Sequence, residues 1–343
     1  MEVAPADARR LHVDRGGACF GIGDVDHLDA ALGVPHTSHR AGAYRRCFER
    51  SPVTSWYRLG FVSILTAEQR DSWDRNGYFI LERFASPDTC ASMLTRAAEL
   101  CRLDAAGKSI GHSLVDPERN PWADAVNPED RVSKIFVLHD WDPVFGPFAR
   151  DERLLEVISD LLGPDVDCFL SQFIFKNPSA IGQPWHQDSL YFPFEPDRQV
   201  GVWVAVTDAT PVNGPLSVLP GSHREPLHEH VPDRRPDANL GYTEIVDMDF
   251  VDAQMVLMNA GDVLVFDSHL MHCSTDNESD GARAAMVYHY AIAGTIDRTY
   301  QHLREQSEAM GAMPDDIKES AAAGVEESPY HWMPVWRDGS AVP

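Results

Sequence analysis

The sequence predicts an α+β fold in which N-terminal helices flank a set of strands rolled into a jelly roll. Three observations carry that reading. Between residue 65 and the tail beyond about 311, helical periodicity falls before Pro164. Short β-rich runs separated by Pro, Gly, Asn and Asp follow it. No apolar run approaches the roughly 20 residues that a membrane span needs. A chain of 343 residues, 43% hydrophobic and 24% charged, can bury a large core. We expect an extension over residues 1–60, one main domain over 61–305 and a tail over 306–343.

Each element has a local reason. Residues 1–60 mix Gly, Arg, His and Pro without a sustained period, and their histidines match no ligand spacing. Thr66 and Gln69 form a capping box for a first helix that ends near Asn76-Gly77, and a strand follows over 78–81. Ser86-Pro87 supplies the N-cap and first position of a second helix, with Cys90, Met93, Leu94, Ala97, Ala98 and Cys101 at helical spacing. The polar stretch 104–131 reads as a long loop and a candidate lid. A third helix from Asp151 to Leu162 puts Leu154, Leu155, Ile158, Leu161 and Leu162 on one side and stops at Gly163-Pro164. Strands are expected over 168–176, 200–206, 216–219, 263–266 and 284–291. Beyond about 311 the chain reads as a helix fragment and a loose end.

Composition narrows the partners. The net charge of −24, from 53 acidic and 29 basic residues, argues against nucleic acid and against an anionic membrane surface. It leaves room for a small molecule. Six scattered cysteines without a CxxC pair read as reduced thiols, and the N-terminus lacks a hydrophobic signal core, so the expected location is cytoplasmic. Oligomeric state is not legible.

The stretch with chemistry in it is Trp185-His186-Gln187-Asp188. On a strand, residues two apart project from the same face, so His186 and Asp188 can share one metal. Alone, such a pair reads more readily as a hydrogen-bonded surface pair. A third ligand has to come from elsewhere, and His272 lies far enough downstream to sit on another strand, with His269 as the neighbouring alternative. Two imidazoles and a carboxylate form the facial triad that suits non-haem Fe(II) and leaves positions for O2 and a co-substrate.

The surrounding motifs extend this. Pro184 to Asp188 with Tyr191-Phe192-Pro193-Phe194, Asn213-Gly214-Pro215-Leu216, Leu219-Pro220-Gly221-Ser222-His223, and the downstream cluster Gly261-Asp262, His272, Ser274, Asn277 and Arg283 resemble the phytanoyl-CoA dioxygenase family over roughly residues 64–300. The resemblance implies a cupin-like double-stranded β-helix holding Fe(II) through His186, Asp188 and His272, with 2-oxoglutarate and O2 as co-substrates and hydroxylation of a small molecule, an acyl-CoA or a specialised metabolite, as the outcome. It favours His272 over His269. It implies that Arg283 grips the distal carboxylate of 2-oxoglutarate through a bidentate pair, and that Lys134, Gln172, Gln187, Trp203 and Ser274 line or approach the co-substrate. Asp188 stands where related halogenases carry a small residue, which favours hydroxylation. His289 reads as core or wall, and His223 as a turn residue. The competing readings are a non-catalytic jelly-roll metal-binding protein and a metallohydrolase using the same triad; a dicarboxylate clamp at Arg283 argues against both.

Overall fold

The structure is a computed structural model and describes residues 63–239, 241–302 and 328–342. In chain order the elements are α1 (Ala67–Asn76), β1 (Tyr78–Leu81), α2 (Pro87–Ala105), β2 (Leu114–Pro117), β3 (Val132–Phe136), α3 (Phe145–Ala149), α4 (Glu152–Leu162), β4 (Val166–Lys176), β5 (Phe194–Glu195), β6 (Gln199–Ala205), β7 (Leu216–Val218), β8 (His230–Pro232), β9 (Thr243–Ile245), β10 (Gln254–Val256), β11 (Val263–Asp267), β12 (His272–Ser274), β13 (Arg283–Ile292), β14 (Ile296–Asp297), β15 (Met333–Arg337) and β16 (Ser340–Ala341). The helix signals act as the sequence suggests. Thr66 and Gln69 close a reciprocal capping box, Gly77 ends α1 at φ +83°, and the Ser86 side chain accepts from Thr89 N.

Two sheets form the jelly roll. The major sheet runs β1-β11-β6-β13-β4-β15-β16, with β3 also on β4 and β2 on β3, all antiparallel. The minor sheet is β10-β7-β12. Strand parity then assigns the two faces of the major sheet. Val200, Val202, Val204, Ala284, Met286 and Tyr288 share a core with α2 and α4 on the outer face. Trp203, Ala205, Ala285 and Val287 point the other way, packing with Leu264, Phe266, Val218 and Val256 inside the roll. Arg283 and His289 have the parity of Val287. The arrangement therefore delivers a buried arginine and a buried histidine from one strand to the interior.

Several expectations are corrected. Leu94 is exposed on α2, and the apolar stripe is completed by Leu100 instead. The supposed loop 104–131 contains β2, whose Leu114 and Asp116 line the interior cavity. The stretch expected to be a loose end returns as β15 along β4, with β16 on β15, while the helix fragment expected near 311–323 lies outside the described residues, as does the extension 1–60. Among the described residues no helix is long and apolar enough to cross a membrane.

Candidate active site

His186 and Asp188 are brought together differently from the expected strand. His186 forms an isolated antiparallel bridge with His272, exchanging His186 N→His272 O at 2.9 Å and His272 N→His186 O at 3.0 Å. Asp188 then opens a single 3-10 turn, Asp188–Leu190. The bridge fixes the spacing of the two imidazoles, and the turn swings the carboxylate between them. Asp188 Oδ1 lies 3.6 Å from His186 Nε2 and 3.7 Å from His272 Nε2. All three residues are buried, with ligand atoms within 4.8 Å of one another, and no other group of this kind occurs among the described residues.

Backbone carbonyls settle which imidazole nitrogen faces inward. His186 Nδ1 is 2.8 Å from Pro184 O and His272 Nδ1 is 2.9 Å from Leu270 O. A carbonyl only accepts, so each Nδ1 carries the proton and each Nε2 presents a lone pair toward Asp188. Burial, then His272, pushes His186 down to about 4, which keeps it neutral. Burial pushes the Asp188 carboxyl up, but His272, His186 and His289 outweigh it and hold it below the usual carboxylate range. Two imidazoles and one carboxylate on one side of a buried cavity fit a divalent iron.

The cavity, about 220 Å³, extends from this triad toward β13 and β4. Arg283 lines it and is fully buried. Its Nε and Nη2 donate to Gly214 O at 3.2 and 2.8 Å, its Cζ lies 5.3 Å from the centre of the Trp203 ring, and its Nη1 has no partner among the described residues. Burial pushes this guanidinium down to about 10, still charged at neutral pH. A buried cation with an unpaired N–H is costly unless an anion completes it. The carboxylate of a ligand meets that requirement.

The remaining candidates divide. Trp203, Ser274, Gln172 and Lys134 all line the cavity. Gln172 Nε2 is 3.4 Å from His289 Nε2, and Lys134 Nζ sits 5.0 Å above the Tyr242 ring. Gln187 does not line it. Its amide donates to Pro226 O and His269 O and accepts from His228 N, so it ties loops together behind the triad. Gln187 itself is extended, at φ −117° and ψ 129°, so its side chain leaves the face that carries His186 and Asp188, as strand alternation requires. His269 Nε2 pairs with Asp197 Oδ2 at 2.6 Å, away from the triad. His223 packs beneath Gly77 at the α1 end. His289 forms cavity wall, its Nδ1 3.9 Å from Asp188 Oδ2.

Sequence reasoning missed Lys176 and Gln183. Both line the cavity, and Gln183 Nε2 lies 3.1 Å from His186 Nε2. A polar residue in loop sequence before the histidine gave no periodic signal. A lysine ending a strand reads as a surface residue.

A family model described as Phytanoyl-CoA dioxygenase (PhyH) matches residues 73–285. The peroxisomal phytanoyl-CoA dioxygenase of Bos taurus is 29% identical over 238 residues, covering 67% of this chain and 70% of that enzyme. The ectoine dioxygenase of Bordetella parapertussis is 29% identical over 247 residues, covering 66% and 76%. Among solved structures, EctD from S. alaskensis with bound Fe aligns at TM-score 0.50 and 26% identity over 66% of this chain and 77% of that one. EvdO2 from Micromonospora carbonacea, at TM-score 0.53, 23% identity and coverage of 69% and 94%, shares the fold. Fold and site together define a non-haem iron, 2-oxoglutarate-dependent dioxygenase with a cupin-like jelly roll. The chain belongs to the phytanoyl-CoA dioxygenase family.

Proposed function

We propose that the protein hydroxylates an unactivated C–H bond of a small molecule, with His186, Asp188 and His272 holding Fe(II) and Arg283 anchoring 2-oxoglutarate. The observation that carries this is the pairing, in one buried cavity, of the triad with an arginine whose Nη1 is unpartnered. Iron, 2-oxoglutarate and O2, when bound, would supply the oxidising chemistry, in which one atom of O2 enters the substrate as hydroxyl and the other enters the new carboxylate of succinate as the oxo-acid loses CO2. The chain's own residues orient and enclose. Pro184 O and Leu270 O fix the imidazole tautomers, Trp203 flanks the guanidinium, and Phe192 and Leu170 supply apolar wall against bulk water.

Trp203, Ser274, Gln172 and Lys134 we assign to the co-substrate side of the cavity or its approach. The curated relatives named above act on phytanoyl-CoA and ectoine by their names, so an acyl-CoA or a specialised metabolite are the two substrate classes to screen. A metallohydrolase has no need of the Arg283 anchor, and a binding protein has no need of open metal positions. We assign residues 61–305 together with the returning strand β15 to one catalytic unit. The described cysteines Cys90, Cys101, Cys168 and Cys273 are free, which supports a reducing compartment such as the cytoplasm.

The test is conversion of 2-oxoglutarate to succinate by the iron-loaded protein, with and without O2, across a panel of both substrate classes. Oxygen-dependent succinate that rises with one substrate and disappears in His272→Ala supports the proposal. Succinate formation indifferent to oxygen and to His272 contradicts it.

A further inference from the structure

Lys176 is the last residue of β4 and the register partner of Arg283, and it is 4% exposed. An ammonium has three N–H donors and no acceptor. Here Nζ donates to Ser274 Oγ at 2.9 Å, Thr275 O at 2.9 Å and Ile181 O at 3.2 Å. All three donors are used, so Lys176 has none to offer a ligand. Its stem is clamped as well: a Cβ on Gly214, at φ +81°, would lie 2.2 Å from Lys176 Cδ.

The consequence falls on Ser274. A hydroxyl has two acceptor lone pairs and one proton. Ser274 Oγ receives Lys176 Nζ at 2.9 Å and Gln183 N at 3.0 Å, which fills both lone pairs. The proton must then point elsewhere, and among the described residues no acceptor is recorded for it. Ser274 lines the same cavity as Arg283, whose Nη1 is also unpartnered.

We propose that Lys176 is a positioning residue: by occupying a lone pair of Ser274 it makes that hydroxyl an obligate donor into the cavity, where it and Arg283 Nη1 together bind the distal carboxylate of 2-oxoglutarate. The inference rests on the functional reading above. A neutral amine would reverse the outcome. Its two N–H groups would go to Ile181 O and Thr275 O, which can only accept, and its lone pair would take the Ser274 proton. Burial, the neighbouring Arg283 and, less strongly, Lys134 push the Lys176 ammonium well below its ordinary value, whereas Asp276 and Glu118 oppose them. A bound carboxylate opposes them further, so co-substrate and ammonium favour one another.

The experiment is anaerobic titration of the full-length, Fe(II)-loaded protein, following the visible charge-transfer band, with 2-oxoglutarate and separately with pyruvate, a 2-oxo acid without a distal carboxylate. The variants are Lys176→Met, Ser274→Ala, Ser274→Thr and the Lys176→Met/Ser274→Ala double. One lost charged-ligand hydrogen bond corresponds to about tenfold in affinity, so Lys176→Met and Ser274→Ala should each weaken 2-oxoglutarate by about that factor. The double should fall within about twofold of Ser274→Ala, because the two residues act through one hydroxyl. Ser274→Thr, which keeps the hydroxyl, should bind 2-oxoglutarate like wild type, and pyruvate binding should be unchanged throughout. A general structural role for Lys176 would instead weaken pyruvate as well. Wild-type affinity in Lys176→Met, or losses that multiply to about a hundredfold in the double, overturn the proposal. If Lys176→Met does not fold, wild-type affinity in Ser274→Ala overturns it alone, and a tenfold loss restored by Ser274→Thr supports it. Absence of a band in wild type at any 2-oxoglutarate concentration sinks the functional reading and this inference with it, whereas a normal wild-type band with indifferent variants sinks only the inference.

Discussion

At the scale of single residues, the site depends on atoms whose roles are dictated by their partners. The carbonyls of Pro184 and Leu270 turn the two Nε2 atoms toward Asp188, the carboxylate between them in the proposed iron site, and removing it leaves two imidazole donors. Asp188→Ala should therefore cost the bulk of the iron retained after gel filtration, measured as iron per chain, while the far-ultraviolet circular dichroism stays that of the wild type. Retention of stoichiometric iron would place the metal elsewhere. The candidate triad was picked out in sequence less by the spacing of His186 and Asp188, which alone is weak evidence, than by His272, Arg283 and the motifs around them. Gln187 was placed near the co-substrate on the resemblance alone, although the alternation that puts His186 and Asp188 on one face turns the residue between them away. Lys176 was invisible because burial of a lysine is a property of the loops folded over it, and these lie far along the chain at Gly214 and Thr275.

At the scale of elements, the proposed iron site is assembled by a two-residue bridge between His186 and His272, and its tightness is set by small residues. A Cβ on Gly182 would lie 1.9 Å from Ser274 O, so a side chain there pushes the 182–186 segment away from β12. Gly182→Ala should cost about 1–3 kcal/mol of stability by overpacking, read by chemical denaturation, and should weaken iron binding in parallel. Unchanged iron affinity would show that the bridge tolerates displacement. A second device is the bulge between β4 and β13. His289 pairs with Leu170 and Tyr290 with Cys168, so Phe169 has no partner and turns into an aromatic cluster with Phe192, Phe194 and Tyr330. The strands were legible from their β-branched and aromatic content. The bulge was not, since an extra residue is decided by pairing between distant strands.

At the scale of the whole molecule, the chain after residue 327 belongs to the site's surroundings. Tyr330 lines the cavity, donates to Tyr191 O at 2.7 Å and packs edge-on against Phe169 and Phe192. Tyr330→Ala should cost about 3 kcal/mol, as for other large aromatic truncations in cores, and a loss below 1 kcal/mol by denaturation would mean that the tail is dispensable. The family resemblance ended near residue 300, and a polar, alanine-rich approach hid the returning strand. Acid sensitivity is also a property of the whole fold. His139 is fully buried, its imidazole held by Ser171 Oγ and His331 O, and burial pushes it down to about 4. The unfolded chain takes up this proton near pH 6.5 and the folded chain near 4, so stability falls as pH drops through that window, by at most about 1.4 kcal/mol per pH unit for this group. His139→Gln should flatten the decline of melting temperature between pH 6.5 and 4, and an unaltered slope would assign the sensitivity to other groups.

The central claim is that the triad and Arg283 together form one iron and 2-oxoglutarate site, and the most direct measurement is anaerobic titration of Fe(II)-loaded protein with 2-oxoglutarate in wild type and Arg283→Ala. The account predicts a visible metal-to-ligand charge-transfer band in both, with the variant needing far more 2-oxoglutarate and binding iron as well as wild type. Bound iron with no band at any concentration, or a band whose 2-oxoglutarate dependence ignores Arg283, would contradict it.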